Sequence, residues 1–166
     1  MTEIQRQAEE YQQGAERPLG TYVGTLGAYG ALLGGLLGAA GLTRRGLPRR
    51  IRAGDLALMA CTTHKLSRLI AKDPVLSPLR VPFTRYEGVS APAELSEDVR
   101  GHGVRHGIGE LLTCPFCMAQ WVATAYAGGL VFAPRATRLF GTIMTAVACA
   151  DWLQLAYARL QQSAEG

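Results

Sequence analysis

At 166 residues the chain is long enough for one domain with a sizeable core. Charged residues make up 18% where soluble proteins carry about 25%, apolar residues 48%, and glycine fills 20 positions without a collagen period, so extended disorder and fibrous repeats are excluded. Four cysteines are too few for a disulfide scaffold of this size, and the net charge of +4 is too localised for a nucleic-acid surface.

Residues 1–17 are polar and acidic, a poor start for a secretory signal peptide. From residue 18 to 43 no charge appears in 26 residues, enough to cross a bilayer core of about 30 Å at about 1.5 Å per residue. Directly after it, Arg44, Arg45, Arg49, Arg50 and Arg52 form the basic flank that membrane proteins keep in the cytoplasm.

A helix is expected over 53–72, charged by Asp55, His64, Lys65 and Arg68 and ended by Asp73-Pro74. It either spans or dips halfway into the membrane. Residues 73–110, rich in proline and glycine, read as an extramembrane connection with a short amphipathic helix around 93–99. Residues 111–133 carry no charge, and 139–158 only Asp151, so a helical hairpin is expected over 111–160. The fold class is therefore all-α: a small integral membrane bundle of about four helices, three clear spans and one charged helix. With four spans the Lys/Arg count is balanced between the two sides; with a half-inserted 53–72 it is not. Both arrangements put Arg44 to Arg52 in the cytoplasm.

Three groups of residues carry the chemistry. In the first span Gly20, Gly24, Gly27, Ala31, Gly34, Gly38 and Gly41 recur at alternating steps of four and three, making one small-residue face for close helix packing, within the chain or with a second copy or membrane partner. In the charged helix His64, Lys65 and Arg68 need a countercharge, and Asp151 is expected to face Lys65 or Arg68; the cluster is a structural ion pair or part of a transport pathway. In Cys114-Pro115-Phe116-Cys117, proline at a first helical position places Cys114 near the N-cap, where the helix dipole favours a thiolate. The pair suits a redox dithiol, two ligands of a zinc site, or plain packing. Arg80, Phe83 and Arg85 alternate cations with rings and suit anchoring at the membrane interface. No Walker loop, dinucleotide fingerprint or catalytic triad motif is present, so no catalytic residue and no cofactor is assigned.

Lys65-Leu66-Ser67-Arg68-Leu69-Ile70 with Asp73, then Arg80 to Phe83, then Glu110-Leu111-Leu112-Thr113-Cys114-Pro115-Phe116-Cys117 with Trp121 resemble a bacterial membrane-protein family catalogued as a domain of unknown function, DUF 1360. The resemblance covers roughly residues 55–160 and leaves the glycine-rich first span as an addition. The family typically has arginine where Lys65 stands, which keeps the charge and loses the bidentate geometry. The resemblance implies a small integral membrane protein of the bacterial inner membrane without an assigned activity. Combined with the residues, it suggests a scaffold or interaction subunit, with a thiol redox or metal-binding protein and a channel or transporter component as alternatives.

Overall fold

The computed structural model describes residues 3–12 and 19–165; residues 13–18, at the end of the polar N-terminal segment and the start of the first expected span, lie outside them. The elements are helices α1 (Glu3–Gln12), α2 (Leu19–Leu42) and α3 (Ala53–Lys72), a 3-10 turn (Pro74–Leu76) and α4 (Ser77–Arg80). Strands β1 (Thr84–Ala91) and β2 (Glu94–Val99) follow, then α5 (Gly103–Thr113), α6 (Pro115–Phe132) and α7 (Pro134–Glu165).

The chain is mostly helical but not all-α. The helix expected at 93–99 is strand β2, paired antiparallel with β1 from Thr84↔Val99 to Ala91↔Glu94 with two irregularities. TRYEGVSA and ELSEDV have no 3.6-residue apolar stripe, and Pro92 with Ala93 at φ +60° makes the tight two-residue turn between them.

The apolar run expected as one span from 111 is broken at Cys114, which is extended and ends α5 while Pro115 opens α6. Proline pushes the residue before it out of the helical region. The remaining α6 has 18 residues, about 27 Å of helix. The last helix runs longer than its uncharged stretch, from Pro134 through Glu165. By length and composition two helices among the described residues, α2 and α7, are apolar enough to cross a membrane.

Helix α3 is the hub. Asp55, Thr62 and Lys65 meet Arg138, Gly141 and Asp151 in order, so α3 and α7 run the same way. Helices α2 and α6 run together, Tyr29 meeting Thr124 and Arg45 meeting Phe132, and α6 turns back into α7 through Ala133. Small residues set the close crossings: a Cβ at Gly128 would lie 2.9 Å from Leu36, and one at Gly141 would collide with the Tyr126 hydroxyl.

This topology sorts the charges. The loop with Arg44 to Arg52, the start of α3 and the start of α7 with Arg135 and Arg138 share one end of the bundle. The hairpin, α5 and the cysteine pair occupy the other.

Candidate functional site

The polar cluster forms where the C-terminal half of α3, the middle of α7 and the hairpin turn converge on a cavity of about 580 Å³. Lys65 Nζ donates to Asp151 Oδ2 at 2.5 Å. Arg68 turns the other way and grips Glu94 on β2 with both ends of its guanidinium, at 2.5 to 2.8 Å. His64 is exposed and its ring tilts over Trp152, with centroids 5.8 Å apart. The structure thus brings His64, Lys65, Arg68 and Asp151 to one cavity and adds Glu94, which lies in the segment expected as a short amphipathic helix.

The hairpin is fastened by a residue that sequence alone places elsewhere. Arg80, expected at the membrane interface, is wholly buried. Its guanidinium donates to both carboxylate oxygens of Glu97, at 2.8 and 3.0 Å, and to the carbonyls of Ile70 and Asp73 at 2.8 and 3.0 Å. Those carbonyls belong to the C-terminal end of α3, where the helix has no acceptors' partners of its own and a cation is favoured. Thr84 Oγ1 donates to Glu97 Oε2 as well, at 3.0 Å. A guanidinium buried this deeply is tolerable because its charge is paired and its N–H groups have partners. Burial pushes the Glu97 carboxyl up, but hydrogen bonds from Arg80 and Thr84 and the charges of Arg80 and Lys72 outweigh it and hold the carboxyl below its ordinary range. Phe83 is half-buried and joins the strands through its carbonyl, which accepts from Arg100 N at 2.7 Å; Arg85 is exposed.

Cys114 and Cys117 are joined as a disulfide at the start of α6, and Cys114 Sγ accepts from Cys117 N. Bonded to each other, the sulfurs are not thiolate ligands, and among the described residues no three His, Cys, Asp or Glu side chains gather as a metal site. In the structure the pair is a disulfide. Cys61 and Cys149 are free thiols.

Among the described residues the glycine face of α2 has no partner inside the chain. Added Cβ atoms at Gly20, Gly24, Gly27, Gly34, Gly38 and Gly41 would all meet open space, and Ala40 is the buried residue of the helix. The helix contacts the rest through its other side, with Tyr22 donating to Glu110 at 2.7 Å and Tyr29 joined to Gln120 and Thr124.

The arrangement has a simple chemical outcome. Lys65, Arg68, Glu94 and Asp151 around the cavity are paired in opposite charges, and Arg80 with Glu97 behind them likewise. These groups bind helices and hairpin to one another.

Comparison with known proteins places these features. The chain is 32% identical over 71 residues to the sporulation protein YjcA of Bacillus subtilis, a match that takes in 41% of this chain and 60% of that protein. No solved structure matches. The model of the family described as protein of unknown function (DUF1360) matches residues 58–157, a stretch holding the cavity, the Arg80–Glu97 pair and the disulfide, and the chain belongs to that family.

Proposed function

We propose that the protein is a small multi-pass protein of the bacterial cytoplasmic membrane, acting as a scaffold or interaction subunit. In this reading α2, α3, α6 and α7 cross the bilayer with the arginine-rich end in the cytoplasm and the hairpin and disulfide outside. Residues 53–160 form the family core, and α2 is an added helix whose glycine face takes up a second copy or another membrane helix. The observation that carries this is α2: 24 residues without a charge, with one residue buried, offer an apolar surface that water does not tolerate and a lipid phase does. A disulfide at the end opposite the arginines agrees with that orientation, since oxidising conditions lie outside the cytoplasm.

The expected outcome is that the protein stays with membranes through an alkaline wash. Replacing Gly27 and Gly34 together by leucine should abolish cross-linked dimers or hetero-complexes while helix content is unchanged, because no neighbour among the described residues meets those positions. Release into buffer by the wash ends the membrane reading, and unchanged cross-linking ends the glycine interface.

The disulfide favours a second reading, a membrane thiol oxidoreductase. Cys117 is exposed beside Phe116, which is 87% exposed, so a partner dithiol has access to the bond. A substrate dithiol would pass two electrons to the pair, leaving as a disulfide and returning Cys114 and Cys117 as thiols. Alkylation without reductant during incubation with a reduced peptide dithiol should then label both cysteines, and a pair that stays protected rejects the reading.

A further inference from the structure

The family match begins at Leu58, leaving out α2 and the arginine loop. Where this added part meets the core there is an apolar groove of about 410 Å³, walled by Leu33, Leu37 and Ala40 of α2, Leu47 of the loop, and Ala127 and Val131 of α6. It follows α2 from Tyr29 to Ala40, about 16 Å of helix. One end is closed by its own hydrogen bonds, Gln120 to Tyr29 at 2.9 Å and Tyr29 to Thr124 at 2.8 Å. The other end reaches Leu47 and Pro48, which lie in the loop that carries the arginines.

Those arginines are not equally engaged. Arg45 donates to the Phe132 carbonyl. Arg52 lies near Asp55, which Arg138 already neutralises. Among the described residues the guanidinium groups of Arg44, Arg49 and Arg50 make no hydrogen bond or ion pair. Arg44 is also placed against backbone preference. Helix α2 ends with Arg45 N bonded to Ala40 O and Arg44 N to Gly41 O, and Arg44 has φ +51°, the left-handed position that glycine normally fills at such an end. A guanidinium is held there at a cost in backbone strain, and strain of that kind gathers at ligand sites.

We propose that this groove binds an anionic glycerophospholipid of the cytoplasmic leaflet, one acyl chain lying between α2 and α6 and the phosphate meeting Arg44, Arg49 and Arg50. An apolar slot bounded by a loop that carries uncompensated cations matches a ligand with an apolar tail and a net negative head. A zwitterionic phospholipid brings a cation of its own to the same arginines. The site rests on the membrane reading above.

The test uses the full chain purified from membranes in detergent and observed by native mass spectrometry with phosphatidylglycerol, phosphatidylcholine or inorganic phosphate added separately. Phosphatidylglycerol should be retained, with about fivefold loss for each arginine replaced by glutamine and roughly a hundredfold loss in the Arg44→Gln, Arg49→Gln, Arg50→Gln triple variant. Phosphatidylcholine and inorganic phosphate should not be retained. Ala127→Phe, or Leu37→Trp where the first variant melts early, fills the groove without touching the arginines and should also lose phosphatidylglycerol. Arg44→Gly should raise the melting temperature while weakening retention, a combination that a purely structural role for Arg44 does not give. Equal retention of the two lipids, phosphate binding as firm as the lipid, or retention that survives both groove variants overturns the site. A protein that leaves alkaline-washed membranes fails at the membrane reading; one that stays there but does not distinguish the lipids fails at the site alone.

Discussion

Arg80 holds three parts of the molecule with one side chain: the end of α3, the short helix α4 that carries it, and the hairpin through Glu97. Replacing Glu97 by glutamine leaves a buried guanidinium with half a partner, and removing one member of such a pair typically costs about 3–5 kcal/mol. The same carboxylate makes stability sensitive to acid. Its folded pKa lies below its ordinary value of 4.5, so its contribution is complete above that value and is lost as pH falls through the folded pKa. Thermal melts of the purified protein should therefore drop in acid for the native chain and flatten in the Glu97→Gln variant, and parallel pH profiles would refute the assignment. Sequence exposes Lys65 and Asp151 as charges in need of partners because their neighbours are apolar. Arg80 gives no such sign. Its surroundings of prolines, valine and aromatics look like a membrane boundary, and Glu97 is one of several acids in a polar stretch.

At the level of elements the long helices are legible and the connection is not. An uncharged run of 26 residues or a hub helix ended by Asp73-Pro74 leaves little choice of structure. The hairpin is hidden because its turn uses Pro92-Ala93, where the second position has φ +60° and would ordinarily signal itself with glycine or asparagine. Ala93→Gly should relieve that conformation and stabilise the protein by about 0.5–1 kcal/mol, read as a higher melting temperature. A lower one would mean that Ala93 contributes packing at the cavity rim that outweighs the backbone strain. The break at Cys114 is partly legible, since Pro115 marks a helix start, but hydropathy alone runs across it. The reason is chemical: leucines, threonine and cysteines on both sides are equally apolar, and only the missing proline N–H and its ring separate α5 from α6.

For the whole molecule the two ends differ in how charge is handled. At the hairpin end Lys65, Arg68 and Arg80 are each matched to Asp151, Glu94 and Glu97, across α3, α4, α7 and β2. At the other end, among the described residues, a run of arginines lies near Asp55, and Asp55 is taken by Arg138. At one end Lys65, Arg68 and Arg80 are paired within the chain; at the other Arg44, Arg49 and Arg50 have no side-chain partner among the described residues. Topology produces this division, because α3 and α7 run the same way and bring their acidic and basic residues into step, while the loop after α2 has no acidic counterpart. A count of Lys and Arg along the chain, balanced between the two sides, does not distinguish paired from unpaired cations.

The pairing of Lys65 with Asp151 spans 86 positions of sequence. During synthesis α3 is complete long before its countercharge on α7 exists, and a lysine and an arginine in a bilayer cost about 2.5–3.5 kcal/mol each when alone. In the proposed multi-pass arrangement the charged helix therefore waits at the surface, or in a protected channel, until α6 and α7 arrive. On that proposal the order of insertion is not the order of sequence: α2 enters at once, and the hub of the bundle enters last, with the helices it holds together.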